Sequence, residues 1–327
     1  MTTPDAPHGP GDAADRPDAA DPPDPTPAPD PTGVPDGPPL VASVAEMSHR
    51  LDQHGYLADQ GLATALFCAT RLAQPLLLEG EAGVGKTEAA KALAAVLDTP
   101  LLRLQCYEGI DASEALYEWN YPRQLLAIRL AESEGRTLPE TSLFGPDYLV
   151  ARPLLQAIEH PGPHPAVLLL DEVDRADDEF EAFLLELLAE ASVTIPELGT
   201  VRALQRPIVL LTSNRTRDLH DALKRRCLYH WIDYPDLERA VEIIHRRVPD
   251  SRVSLAEQVA AAIQRLRSLD LQKPPGIAEA IDWTRVLGLL GVQRLDEVAV
   301  AQTLGAVLKY REDVDHALDR GVGWVGG

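Results

Sequence analysis

Eight consecutive residues, Gly80-Glu81-Ala82-Gly83-Val84-Gly85-Lys86-Thr87, satisfy the pattern G-x-x-x-x-G-K-[ST] at every fixed position. Glycines at these places let successive backbone N–H groups turn inward and form a nest for an anion. The helix expected to follow aims its positive end at the same point. Lys86 can then reach the β- and γ-phosphates of a nucleotide, and the Thr87 hydroxyl can ligate Mg²⁺. Glu88 stands next, so the stretch from Gly80 to Glu88 is the expected contact with a nucleoside triphosphate.

Three further groups supply what such a site needs. Val167-Leu168-Leu169-Leu170-Asp171-Glu172 reads as a buried strand that delivers two carboxylates at its C-terminal end, where ligands bind in open α/β sheets. Neighbouring side chains on a strand point to opposite sides. Asp171 can therefore serve the metal while Glu172 polarises an attacking water. Ile208-Val209-Leu210-Leu211-Thr212-Ser213-Asn214 is a second apolar strand ending in a polar amide, and Asn214 can orient that water or simply form a turn. Leu223-Lys224-Arg225-Arg226-Cys227 places cations at a short helix's end. Arg225 and Arg226 either complement that helix's dipole or complete a neighbouring subunit's site as an arginine finger. A helix cap and an acidic first turn account for most of the acids Asp174 and Asp177–Glu179.

These groups require a scaffold of strands alternating with helices. Pro75–Leu78 reads as a strand leading into the glycine-rich turn, and Lys86 to about Leu97 as the helix after it. Further strand-like runs fall at 101–105, 166–170, 207–211 and 229–232, which predicts a mainly parallel sheet covered on both faces. After Pro235 the pattern is helical only, over 236–247, 254–270, 277–291 and 296–309, with Pro274-Pro275-Gly276 as a break. The expected layout is a disordered tail over 1–39, an α/β nucleotide-binding domain over 40–235 and a helical domain over 236–327.

Composition narrows the function. The chain has 327 residues and a net charge of −21, which repels phosphate backbones and argues against nucleic acid as a partner. Residues 1–39 hold eight Asp and one Arg among Pro, Ala, Gly and Thr, too little apolar area to offset ordering entropy. The remaining residues are acidic in their own right. Cys68, Cys106 and Cys227 lie far apart in apolar runs, with neither a disulfide framework nor a zinc spacing. No apolar run is long enough to span a bilayer, and the acidic start is unlike a signal peptide, so a cytoplasmic protein is expected.

In order along the chain, the four groups resemble Walker A, Walker B, sensor 1 and the arginine finger of AAA+ proteins. Ser142-Leu143-Phe144-Gly145, Leu184–Glu190 and the hairpin-like Val193–Glu197 are similar to the MoxR branch. So is Gly109–Asn120, in the position of the helix-2 insert of that branch; Tyr117, Trp119 and Tyr121 cluster there, either packing the insert or meeting a partner. Leu228–Pro235 and Lys273–Trp283 resemble the CoxD-like subgroup. The resemblance implies an AAA+ P-loop core with an all-α C-terminal lid, which binds and hydrolyses ATP with Mg²⁺ in a ring, a hexamer in such proteins. It implies remodelling of a client enzyme, such as a molybdenum hydroxylase of the carbon-monoxide dehydrogenase type, beside a partner with a von Willebrand factor A domain. A nucleotide-gated scaffold with little turnover is the alternative. Where relatives carry a sensor-2 arginine, this chain has Glu279, with Arg285 about two turns on.

Overall fold

The computed structural model describes residues 40–320; the tail expected over 1–39 lies outside the described residues. Two helices open the described residues, α1 (Val44–Gln53) and α2 (Gln60–Leu72), capped by Ser43 and by Asp59, whose carboxylate accepts the Leu62 N–H at 2.7 Å. Strand β1 (Leu76–Gly80) follows, then α3 (Lys86–Val96) and β2 (Leu101–Gln105). The connection onward carries α4 (Ala112–Leu116), β3 (Tyr117–Trp119), α5 (Tyr121–Ser133), α6 (Glu140–Leu143), β4 (Leu149–Ala151) and α7 (Pro153–Ile158). Next come β5 (Val167–Asp171), α8 (Asp178–Glu190), the hairpin β6 (Ser192–Ile195) and β7 (Gly199–Arg202), β8 (Ile208–Ser213), α9 (Asp221–Lys224) and β9 (Leu228–Ile232).

Five strands form one parallel sheet in the order β2-β5-β8-β1-β9. Its central strands are buried along their whole length, which is why they read as continuous apolar runs rather than alternating ones. Alternate side chains supply two separate cores. Leu77, Leu168, Leu170, Val209 and Leu211 pack with α7 and α8 on one face. Leu76, Leu78, Val167, Leu169 and Leu210 pack with α1, α2 and α3 on the other. Because β1, β5 and β8 run side by side in parallel, their C-terminal ends emerge together, and these ends carry Gly80, Asp171 and Ser213.

The segment that interrupts the helices between α4 and α7 extends beyond the 109–120 stretch that the resemblance puts in the position of an insert. β3 and β4 pair antiparallel, Tyr117 with Ala151 and Trp119 with Leu149, so the interruption between α4 and α7 runs from Tyr117 to Ala151. A pairing of residues some thirty positions apart leaves no local periodic signal. Trp119 is only 8% exposed, with its ring 5.6 Å from Tyr117 and 5.3 Å from Phe144, both edge-on, whereas Tyr121 is 59% exposed. The aromatic cluster thus divides between packing and exposure.

The C-terminal part is helical: α10 (Leu237–Arg247), α11 (Val253–Arg267), α12 (Ile277–Leu289), α13 (Glu297–Thr303) and α14 (Arg311–Asp319). It surrounds a core of its own that includes Ile244, Val259, Ile263, Trp283, Val300 and Leu304. The sequence pattern ends at 309 and misses α14, a short helix with a mainly polar composition. Its buried Asp313 accepts the N–H groups of Gln272 (2.8 Å) and Lys273 (3.1 Å), holding the chain that leads into the Pro274–Gly276 break. Among the described residues no helix is long and apolar enough to cross a membrane.

Trp283 anchors this helical core. It is fully buried, and its indole N–H donates to Thr303 Oγ1 at 2.7 Å. Replacing it with Ala removes that packing and leaves a cavity, with a loss of about 3–5 kcal/mol expected in urea unfolding of the helical part. Far-UV circular dichroism combined with proteolysis of residues 236–320 checks this.

Candidate functional site

The glycine-rich turn sits between the end of β1 and the start of α3, with Gly85 in the N-cap position of the helix. Lys86 is 7% exposed, and its ammonium donates to the carbonyls of Gly80 (2.6 Å) and Glu81 (2.8 Å). Burial lowers its pKa, because a charged amine loses hydration. Asp174, Glu81, Asp171 and Glu172 oppose that shift, with Asp174 acting most strongly. The cleft above the loop has a volume of about 740 Å³. Its walls include Tyr56, the loop, Asp171, Glu172, Asn214 and the start of α12.

Asp171 stands at the centre, 3% exposed. Its Oδ1 accepts the Thr212 hydroxyl at 2.5 Å, and Thr87 Oγ1 lies 3.1 and 3.2 Å from its two oxygens. On the opposite edge, Oδ2 receives Arg103 Nε at 2.9 Å and Arg103 Nη2 at 2.6 Å. Arg103 can do this because β2 pairs with β5 in a register that sets Gln105 beside Asp171. Glu172 has φ +55°, a left-handed conformation uncommon for a residue with a side chain. Its N–H donates to Thr212 Oγ1 at 2.9 Å, which holds the bend at the end of β5. Its carboxylate accepts Gln105 Nε2 at 3.0 Å and Arg175 Nη1 at 3.1 Å.

The structure therefore brings together the loop residues Ala82 to Glu88 with Asp171, Glu172 and Asn214, whereas Gly80 and Glu81 are not among the lining residues and instead accept the Lys86 ammonium through their carbonyls. Arg225 and Arg226 are not among the residues lining this cleft. Arg225 is exposed at the end of α9, and the Arg226 guanidinium donates to the Leu185 carbonyl of α8. Glu88 also lines the cleft, where its carboxylate meets Lys91 and Arg247 of α10. Burial works to raise the Glu88 carboxyl, but hydrogen bonds from those two cations outweigh it and hold the group below its usual range. Of the acids after Glu172, Asp177 caps α8 by accepting the Phe180 N–H at 2.9 Å, Asp178 and Glu179 stand in its first turn, and Asp174 is buried against the segment after β8. Arg103, Gln105 and Thr212 are site residues that sequence reasoning passed over. They lie inside strands, and only the sheet register shows that they face the acids.

The helical part closes directly onto the loop. The N–H groups of Ile277 and Ala278, at the start of α12, donate to the Gly83 carbonyl at 3.1 and 3.2 Å. This approach requires glycine on both sides. A Cβ on Gly276 would lie 2.8 Å from the Ala82 and Gly83 oxygens, and one on Gly83, which has φ +76°, would lie 2.7 Å from Glu279 Oε2. Glu279 uses that oxygen to accept the Gly276 N–H at 2.9 Å, so the residue in the expected sensor-2 place caps α12. Arg285 also lines the cleft, paired with Asp282 at 3.1 Å. Behind the contact, Arg267 lies 3.9 Å above the Tyr234 ring and donates to the Pro275 carbonyl at 2.6 Å. Gly276→Ala should force α12 off the loop. Amide exchange at Ile277 and Ala278 is expected to accelerate about tenfold or more, while the α/β sheet keeps its protection.

Residues 75–227 match the AAA domain family of the dynein-related subfamily. An uncharacterized protein of Staphylococcus haemolyticus, SH1500, is 24% identical over 243 residues, which span 71% of this chain and 84% of that relative. Among solved structures, the chain is similar to the Thermotoga maritima RuvB Holliday junction branch migration motor, with a TM-score of 0.44 and 18% identity over 78% of this chain and 68% of that one. A single-residue variant of the same motor matches with a TM-score of 0.44 and 20% identity, over 75% and 67% of the two chains.

Proposed function

With residues 75–227 an AAA domain on an AAA+ P-loop fold, we propose that this chain binds ATP with Mg²⁺ and hydrolyses it to remodel a partner protein. The observation that carries this reading is the convergence of Lys86, Thr87, Asp171, Glu172 and Asn214 on one cleft. Each group has a task there. Lys86 is a buried cation that can leave two loop carbonyls for phosphate oxygens. Thr87 and Asp171 present hard oxygens side by side, a donor set that suits Mg²⁺, which keeps most of its shell as water and phosphate. Bound there, Mg²⁺ would offset phosphate charge. Arg103 already neutralises part of Asp171, so this carboxylate would divide its charge between guanidinium and metal. Glu172 is the candidate base for the attacking water, and to reach that water it must release Gln105 and Arg175.

Arg225 and Arg226 fit this reading as fingers that act on a neighbouring copy, since neither lines its own cleft; Arg226 would first have to release the Leu185 carbonyl. A ring, hexameric by family resemblance, would bring them to the next subunit's phosphates. The resemblance to the MoxR branch and its CoxD-like subgroup suggests a client such as a molybdenum hydroxylase and a partner with a von Willebrand factor A domain. The Holliday junction in the RuvB motor's description is not carried over, because a net charge of −21 repels nucleic acid. A nucleotide-gated scaffold with little turnover is favoured by two details: Glu172 is held by two neighbours, and Glu279 stands in place of a sensor-2 arginine.

Binding of a fluorescent ATP analogue and steady-state phosphate release separate the two readings. Lys86→Ala should abolish analogue binding. Glu172→Gln should retain binding and lose about 10²–10⁴-fold in turnover, the range typical of a general base. Arg225→Ala or Arg226→Ala should lower turnover by up to about 10³-fold, with binding kept. Wild-type turnover below about once per minute, unchanged in Glu172→Gln, would leave the scaffold reading standing.

A further inference from the structure

Asp174 is a buried acid that nucleotide binding does not account for. It is 1% exposed, on the short 3-10 turn Val173–Arg175 that follows Glu172. Its Oδ2 accepts three hydrogen bonds from one segment: Thr216 Oγ1 at 2.7 Å, Thr216 N–H at 2.8 Å and Asn214 N–H at 3.2 Å. Arg215, between the two donors, has φ +57°, and its N–H donates to Ser213 Oγ at 3.0 Å. That left-handed residue turns the two flanking N–H groups toward the same side, so the segment after β8 forms a nest around a carboxylate of its own chain. The other oxygen, Oδ1, is buried without a hydrogen-bond partner among the described residues. A charged acceptor left half unpaired in the interior carries a free-energy penalty, so the fold keeps Asp174 against that penalty.

We propose that Asp174 is a positioning residue for nucleotide hydrolysis, whose carboxylate folds the turn 213–216 and so sets where the Asn214 side chain stands in the cleft. The inference rests on the ATPase reading above and deepens it. Asn214 belongs to the cleft lining, and its main chain is tied to Asp174 rather than to the phosphate loop. The carboxylate therefore links the two strand ends that carry Glu172 and Asn214. Loss of the clasp removes one acid that favours the charge of Lys86, but it leaves the loop backbone and the Lys86 hydrogen bonds to Gly80 and Glu81 in place, so ATP should stay bound while Asn214 is misplaced at the moment of reaction. Displacements of about 1 Å in such a group typically lower turnover by about a hundredfold.

The test compares full-length wild type, Asp174→Ala, Asp174→Asn, Thr216→Val and Glu172→Gln. Asp174→Ala is expected to lower kcat by about tenfold to a hundredfold, with KM and the affinity for a fluorescent ATP analogue within about threefold of wild type. Asp174→Asn keeps an acceptor oxygen and should recover most of that loss; Thr216→Val removes one of three donors and should fall between. Amide exchange at Asn214 and Thr216 should accelerate in Asp174→Ala before any nucleotide is added. A kcat within about twofold of wild type in Asp174→Ala overturns the proposal, as does a parallel fall of kcat and ATP affinity, the pattern of general damage. If Asp174→Ala does not fold, wild-type turnover in Thr216→Val overturns it instead. Wild-type protein without turnover sinks the ATPase reading; an active wild type with an equally active Asp174→Ala sinks only this inference.

Discussion

A carboxylate taken out of water must be met by donors or cations on every side, and Asp171 meets that demand by drawing on four segments. Arg103 comes from β2, Thr212 from β8, Thr87 from the first turn of α3, and the acid itself ends β5. Removing one partner of a buried ion pair typically costs about 3–5 kcal/mol, although a half-exposed guanidinium such as Arg103 brings that figure down. The same constraint fixes the site. With Asp171 anchored, Glu172 must leave the strand through a left-handed bend, and its N–H lands on the hydroxyl that already serves Asp171. Stability and chemistry share their atoms here.

Main-chain contact, rather than a charged side chain, joins the helical part to the phosphate loop. Two N–H groups at the start of α12 converge on the Gly83 carbonyl, and glycine on each side allows the backbones to touch. Any change in the loop peptide at Gly83 is thus transmitted to α12 without an intervening side chain. Glu279 adds a negative group at that junction, where it caps the helix. Around it, Arg239 donates to the Leu57 carbonyl at 2.6 Å and Arg247 pairs with Glu88, so the helical part is tied to the α/β part at several points around the cleft. Burial also removes reactivity elsewhere: the thiols of Cys106 and Cys227 are pushed up to about 12, which suits packing rather than nucleophilic work.

Several features were legible from residue types alone because their physical causes are local. A glycine-rich turn before Lys86 and Thr87 must expose its amides, and apolar runs ending in Asp171 or Asn214 must be buried strands with polar ends. The parallel sheet, the following helices and the helical C-terminal region come from such short-range patterns. Tertiary structure alone decided the rest. Arg103 and Gln105 became partners of the acids through the β2–β5 register, the segment Tyr117–Ala151 was closed off by a pairing across thirty residues, and Asp174 was turned from the acidic run around it to clasp the turn 213–216. Local patterning determines which segments form strands and helices, since periodicity and turn chemistry act over a few residues. Which side chains then face one another depends on burial and on hydrogen-bond demand, and those are settled only once distant segments have packed.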